Sequence, residues 1–347
     1  MVGATGAGTM RRWVKVSVAV AVVLAGGGYV AEPHVREWMV IRNACGGTLP
    51  RDAVERLVPE DSRLESEESR RTEGLDSYSC GFAFEGGDRF VAMSAYTRRD
   101  DQDREFMRVF PEGGFSAQAP LPEDLPGFTD DYGTTWLRLP CPDLGKDDNG
   151  RARTLLVRAT MGRDIRTEVP GAAYRTTVAL ANSASDALGC GTEPLKAPKR
   201  DVPLIDVSEN PETVPLAEAK GTACEWVTRA GLPERGNWRI AVHANNAAPS
   251  GMCDLSAQYG DTSDNDTGLA FASWYGDWSN RLAADDNNGE RRPMTATARC
   301  DGEAANYALS ASDDIPGVGE AAKRRMLKEF AADEVRRRGC SDLTFRF

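Results

Sequence analysis

The chain has 347 residues, of which 41% are hydrophobic and 27% are charged, and its formal net charge is −11. This composition is typical of a globular protein, and the length leaves room for about two domains. Because a phosphate backbone attracts basic surfaces, the negative charge argues against nucleic acid as the main partner.

A run without charged residues, 16–31, predicts the compartment. We expect residues 13–31 to form a transmembrane signal-anchor. Three basic residues stand at its start: Arg11, Arg12 and Lys15. Since basic flanks stay on the cytoplasmic side, residues 1–12 should be cytoplasmic and the bulk of the chain extracytoplasmic. The protein is therefore predicted to be a single-pass protein of the plasma membrane.

Two points about this N-terminus stay open. A cleaved signal peptide that ends near Ala25-Gly26-Gly27 is the alternative to an anchor. The start codon is either Met1 or Met10, because the sequence after Met10 is that of an export signal.

The next segments predict a domain over residues 32–190. A helix begins at Pro50, residues 62–74 form a charged loop, and residues 98–133 are a Pro- and Gly-rich insertion that is helical only over 103–110. The alternating segments predict two hairpins, made of strands 78–84 with 89–97 and 134–141 with 154–161. A helix over 173–188 then ends at Gly189.

The remaining chain predicts a linker and a second domain. Residues 191–221 contain five prolines and are interpreted as the linker, and residues 222–347 form the second domain. Its predicted strands and long helix follow in the order 238–243, 252–259, 268–275, 293–300, 304–312 and helix 319–338. The alternation of Leu343, Phe345 and Phe347 predicts a final strand.

The chain contains eight cysteines, all beyond the membrane segment: Cys45, Cys80, Cys141, Cys190, Cys224, Cys253, Cys300 and Cys340. An even number of cysteines outside the cytosol predicts disulfide bonds. A zinc site would need close cysteine pairs or histidines at ligand spacing, and the sequence has neither. No metal site and no cofactor are therefore predicted.

The cysteines divide into two sets of four with similar surroundings. In each set the first follows an alanine, the second opens a strand, the third closes a strand, and the fourth follows a glycine after a helix. This predicts a tandem duplication of one domain. Four cysteines allow three pairings in each copy. Short local loops favour these four bonds: Cys45–Cys80, Cys141–Cys190, Cys224–Cys253 and Cys300–Cys340.

Each copy is predicted to be an α-β-β-β-β-α unit of the α+β class, with helices packed on an antiparallel sheet. The segment from Cys45 through Leu49-Pro50 to Val58, followed by the strand pattern from Cys80 to Tyr96, resembles the α+β domains of exported actinobacterial lipoproteins and membrane-anchored proteins of unknown function. The resemblance covers the first half of each unit, and the second copy lacks Leu-Pro after Cys224. It implies a disulfide-stapled domain and transfers no catalytic residue.

Catalytic motifs are scarce. The two histidines are His34, beside the membrane segment, and His243, in a strand-like segment, and neither accompanies a G-x-S-x-G or phosphate-loop motif. Acidic clusters occur at 130–131, 147–150, 261–266 and 285–289. They suit hairpin turns better than calcium loops. A carboxylate pair for glycoside cleavage stays open, since spatial separation is not visible in a sequence.

Two segments are candidate recognition surfaces. The densest aromatic patch contains Trp274, Tyr275 and Trp278, which either pack into the fold or form a platform for a sugar or peptide. The insertion at 98–133 is the second candidate, because loops on a rigid scaffold often carry recognition.

These patterns predict a membrane-anchored, non-catalytic recognition module that binds an envelope protein or a cell-wall ligand. The alternatives are a carboxylate-dependent hydrolase of cell-wall material and a structural partner of an envelope complex.

Overall fold

The computed structural model describes residues 45–47, 49, 51–57, 64–72, 74, 76–84, 90–106, 115, 117–162, 171–200, 207, 212–244, 248–258, 266–278, 294–312 and 314–347. Over these residues the chain folds as an α+β protein with two antiparallel seven-stranded sheets. The predicted fold class is confirmed at this level.

Among the described residues, the first half of the chain builds one sheet and contains three α-helices of seven residues or more. The helices are α1 (Arg51–Leu57), α2 (Arg99–Phe106) and α3 (Ala172–Leu188). The strands are β1 (Leu64–Thr72), β2 (Ser77–Phe84), β3 (Phe90–Tyr96), β4 (Gln118–Pro120), β5 (Gly127–Asp130), β6 (Thr134–Pro140) and β7 (Thr154–Met161). They follow the spatial order β1-β2-β3-β7-β6-β5-β4.

The described part of the second half builds the other sheet and one long helix, α4 (Glu320–Arg338). Its strands are β8 (Val214–Pro215), β9 (Arg239–His243), β10 (Ser250–Gln258), β11 (Asp266–Tyr275), β12 (Thr295–Cys300), β13 (Glu303–Ala311) and β14 (Ser341–Arg346). Their spatial order is β14-β12-β13-β11-β10-β9-β8.

The two sheets share one order of central strands when they are matched by their cysteines. Cys80 lies on β2 and Cys253 lies on β10. Starting from these strands, the first sheet continues as β2-β3-β7-β6 and the second as β10-β11-β13-β12. The strand beyond this set is β5 in the first sheet and β14 in the second.

Each sheet buries one face under its long helix. In β7, Leu155, Val157 and Ala159 enter a core shared with α3, whereas Leu156 points to the opposite face. In β11, Leu269 and Phe271 enter the core beneath α4, whereas Trp274 lies on the opposite face. This alternation follows from the two-residue period of a strand, and it gives each sheet a second apolar surface.

Both long helices end in the same way. Gly189 and Gly339 adopt the left-handed conformation, with φ of 69° and 66°. The backbone N–H of the following cysteine then donates to the carbonyl five residues earlier, from Cys190 to Ser185 and from Cys340 to Val335. This glycine-dependent ending turns the chain back at a fixed angle, which presents the fourth cysteine to the sheet.

Sequence patterns missed three elements of the first sheet. Strand β1 forms where the sequence predicted a loop. The prediction is wrong there because the residues of β1 are almost all polar and it joins the sheet at an edge, through backbone pairing with β2. Strands β4 and β5 lie in the predicted insertion, where Pro120 and Pro126 favoured a loop over strands. Helix α2 also begins four residues before its predicted start.

The predicted linker contributes to both halves at its ends. Leu195 packs against the first core and exchanges backbone–amide hydrogen bonds with Asn182 of α3. Val214 pairs with Ile240 as part of β8, and Ala219 is buried in the second core. The second sheet therefore begins inside the segment assigned to the linker.

No helix in the described part of the chain combines the length and apolar character needed to cross a bilayer. The predicted anchor at 13–31 lies outside the described residues.

Candidate functional site

The four predicted disulfide bonds are present: Cys45–Cys80, Cys141–Cys190, Cys224–Cys253 and Cys300–Cys340. Their Cα–Cα distances are 5.4, 4.1, 5.8 and 4.2 Å. In each half one bond ties a residue that precedes the central strands to the first of them, β2 or β10, and the other ties the end of the long helix to a strand end. The described residues contain no free cysteine.

The second faces of the two sheets meet in an aromatic cluster, here called the seam. From the first half it contains Phe106, Phe128, Trp136 and Leu156, and from the second Ala272, Trp274, Trp278 and Ala308. The ring of Trp278 lies 5.2 Å from that of Phe128 and 5.4 Å from that of Phe106. The two halves therefore bury large aromatic surface against each other, which makes them one packed body.

The three residues predicted as a ligand surface are all buried. The exposed fractions are 0% for Trp274, 8% for Tyr275 and 4% for Trp278. The Trp274 indole donates to Gln118 Oε1 over 3.0 Å, so that its polar atom is used within the seam. Two of the three side chains join the halves and the third lies beneath α4, and none of them offers an exposed platform.

Tyr275 belongs to a polar cluster under α4. Its hydroxyl donates to the Glu334 carboxylate, and the Arg338 guanidinium lies 3.5 Å from the centre of its ring. Arg337 also pairs with Glu334. Burial raises the pKa of Glu334 and of Tyr275 above their ordinary ranges. This cluster fixes α4 on the second sheet and leaves no reactive group accessible.

Charged residues at the rim of the seam hold the halves in register. Asp277 accepts a hydrogen bond from Arg99 over 3.1 Å and lies 3.9 Å from Arg138. The Arg138 guanidinium packs over the Trp278 ring at 4.6 Å. Burial lowers the pKa of Arg138 to about 10, although Asp277 opposes this change. One carboxylate of the second half thus pairs with two arginines of the first.

Two of the predicted acidic clusters close turns. Asp130 accepts hydrogen bonds from the backbone of Thr134 and from the Trp136 indole, at 2.9 and 2.8 Å, and burial raises its pKa. Asp147 accepts from the backbone and side chain of Arg151, which lowers its pKa. The cluster at 285–289 and most of that at 261–266 lie outside the described residues.

A polar cleft of about 210 Å³ lies between the start of α2 and the turn before β7. Its lining includes four arginines and three aspartates: Arg98, Arg99, Arg151, Arg153, Asp100, Asp147 and Asp148. Gln102 forms its floor and donates to two backbone carbonyls. Since several of these arginines pair with aspartates, the cleft is closer to a neutral ionic network than to an anion site.

Two titratable side chains face the seam side of the second sheet without joining an ionic network. Asp254 on β10 is half-buried, and burial raises its pKa from 3.8 to about 6. His243 on β9 lies opposite Met252, and burial lowers its pKa. The register places their backbones about 7–8 Å apart as diagonal neighbours. Neither side chain has a hydrogen-bond or ion-pair partner among the described residues.

One exposed surface stands out on the second half, here called the C-terminal patch: Phe345, Phe347, Arg324, Arg325 and Lys328. Phe345 and Phe347 are 36% and 39% exposed, and they stack with centroids 5.7 Å apart. The Lys328 amine lies 5.2 Å from the Phe347 ring. Strand alternation predicted β14, but it could not predict that two phenylalanines stay at the surface.

The described residues hold no group of three or more His, Cys, Asp or Glu side chains arranged to bind a metal ion. Comparison with models of protein families, with curated proteins and with solved structures finds no match. The resemblance to domains of exported actinobacterial proteins therefore stays a prediction. What the described residues offer is a packed body with an exposed aromatic and cationic surface, the C-terminal patch.

Proposed function

We propose that the protein is a membrane-anchored, extracytoplasmic recognition module that binds another envelope protein and performs no catalysis. In this proposal residues 13–31 anchor the chain in the plasma membrane, and residues 32–347 are displayed outside. The two halves are copies of one disulfide-stapled α+β unit.

The observation that carries the proposal is the placement of the four disulfide bonds. Each half contains two bonds at matching positions on matching strands and helix ends. Such bonds persist in oxidising compartments and are rare in the cytosol, so they support export. The shared strand order and the shared helix ending support duplication.

A rigid body with an exposed patch suits recognition. The seam packs the two halves together by burying Trp274 and Trp278 between them. A pre-organised surface loses little conformational entropy on binding, which favours affinity. The C-terminal patch supplies aromatic and basic side chains, which are enriched in protein interfaces.

The experiment uses tagged full-length chain in its native cells, with cross-linking before membrane extraction. We expect the intact chain in the membrane fraction, and one envelope protein cross-linked in a constant ratio across replicates. The control is a strain with untagged chain carried through the same steps. Recovery of the chain in the cytosol would contradict export. Release of soluble fragments from purified cell wall by the pure chain would contradict a non-catalytic role.

A further inference from the structure

Strand β14 is the edge of the second sheet. It pairs with β12 on one side, and no described strand pairs with its outer side. Five of its six residues are exposed, and Leu343 is half-buried. A sheet edge of this kind presents unpaired backbone N–H and C=O groups, which another extended chain can pair with.

The first half shows how the same position is filled. The strand that corresponds to β14 is β5, and β5 carries the short strand β4 on its outer side. The edge of β4 is then closed, because Pro120 has no N–H and the Gln118 N–H donates to Met252 Sδ over 3.4 Å. In the second half neither a proline nor a covering strand closes β14 within the described residues.

The side chains beside β14 form a basic and aromatic surface. Phe345 lies opposite Ala296, whose side chain is in the core under α4, so the phenylalanines flank that helix. An open depression of about 570 Å³ beside them is lined by Glu320, Ala321, Arg324, Arg325 and Lys328. The single carboxylate in this set, Glu320, lies 3.3 Å from Lys323.

The charge of this surface is opposite to that of the whole chain. Arg324, Arg325 and Lys328 lie within one turn of α4, in a protein whose net charge is −11. Opposite charge across an interface speeds association and excludes wrong partners. The surface therefore favours an acidic partner. A second copy fits less well, because a two-fold pairing of two β14 strands would place both basic clusters on the same side of the joined sheet.

From this juxtaposition we infer that the outer edge of β14 binds an extended acidic segment of a partner protein as an added strand. The backbone of that segment pairs with Ser341–Arg346. Its acidic side chains contact Arg324 and Lys328, which lie beside the phenylalanine rings, and an apolar side chain packs on that pair. The inference rests on the proposed recognition function and names its surface and partner chemistry.

The test uses full-length chain in detergent and a fluorescent peptide of repeated Glu-Thr-Phe-Thr, which places glutamate and phenylalanine on one face of a strand. We expect saturable binding that weakens with salt. Two further peptides carry N-methyl groups at odd or at even positions, and at least one should bind about tenfold more weakly or worse, since one edge of the strand loses its donors. Equal affinity of all three would overturn strand addition.

Variants test the side chains separately. Phe345→Ala with Phe347→Ala, and Arg324→Glu with Lys328→Glu, should each weaken binding at least about tenfold. Two control variants change similar residues elsewhere. Tyr132→Ala removes another exposed aromatic residue. Arg70→Glu with Arg71→Glu reverses charge on β1, an edge strand of the first sheet. Both control variants should bind as the wild type does. Loss of binding in the controls, or its retention in the first two variants, would overturn the assignment.

Further outcomes distinguish this inference from the proposed function. Concentration-dependent dimers that the phenylalanine variant abolishes would reassign the surface to a second copy. Binding to phosphatidylglycerol vesicles, with no binding of the peptide, would reassign it to lipid. If the native cross-linked partner is retained by both surface variants, the recognition function stands and the β14 surface is wrong. If no partner is found in native membranes while the peptide binds as expected, the proposed function fails.

Discussion

Replacing Asp254 with asparagine should stabilise the protein at neutral pH. Asp254 is a half-buried carboxylate on β10, and burial alone raises its pKa from 3.8 to about 6. No described group pairs with it. At neutral pH the native state therefore holds a carboxylate charge that burial desolvates, and asparagine removes that charge while keeping the shape of the side chain.

The magnitude follows from the linkage between protonation and folding. A pKa of about 6 against 3.8 corresponds to a ceiling of about 3 kcal/mol at 1.36 kcal/mol per pH unit. Partial exposure screens the charge, so we expect about 1–2 kcal/mol. The pKa of Asp254 is higher in the folded state than in the unfolded state. The stability lost to this carboxylate is therefore zero below about pH 4, where the carboxyl is protonated in both states. The loss grows as the pH rises and is complete once the pH has passed about 6.

The assay is urea unfolding with all disulfides intact, at about pH 5 and about pH 8. We expect Asp254→Asn to be more stable than wild type at the higher pH and to differ less at the lower pH. The matched control is Asp148→Asn, an exposed carboxylate in the turn before β7, which should change stability little at either pH. A variant less stable than wild type at the higher pH would show that the Asp254 carboxylate makes a favourable contact, which would refute the reasoning.

Two further substitutions test the packing between the strands and between the halves. Gly127→Ala should destabilise by about 1–3 kcal/mol, since its Cβ would lie 1.8 Å from the Trp136 carbonyl oxygen. The open position Gly74→Ala should instead be neutral or stabilise by about 0.4–1 kcal/mol in the same urea assay, and equal effects would contradict the strand contact. Asp277→Ala should cost about 1–2 kcal/mol, because two arginines at the seam lose their shared carboxylate. Asp148→Ala is the control for that loss, and a null effect at Asp277 would mean that the rim pairs do not join the halves.

Local patterns predicted most of the central strands because those strands are short apolar runs bounded by turn residues. Residues 154–161 form β7 over the predicted range, with Leu155 and Val157 on one buried face and Leu156 on the other. The glycine after each long helix predicted both helix ends, since only a left-handed residue closes them in this way. The positions of the cysteines predicted all four bonds because each bond closes a short local loop.

The seam could not be predicted, because it depends on contacts between distant segments. Trp274 and Gln118 are far apart in sequence, and nothing local shows that the indole will donate to that amide. A tryptophan on the second face of a strand has the same pattern whether another sheet covers it or solvent does. Edge strands such as β1 were missed for a related reason, since backbone pairing leaves no signal in side-chain polarity.

The measurement that tests the central claim most directly is the redox state of the eight cysteines in native membranes. Cells are quenched in acid, and free thiols are trapped with a maleimide that adds mass before the chain is digested without reduction. We expect no trapped thiol and four linked peptide pairs: Cys45–Cys80, Cys141–Cys190, Cys224–Cys253 and Cys300–Cys340. Eight trapped thiols in chain recovered from its native compartment would contradict both the export of the protein and the stapled architecture on which its proposed role depends.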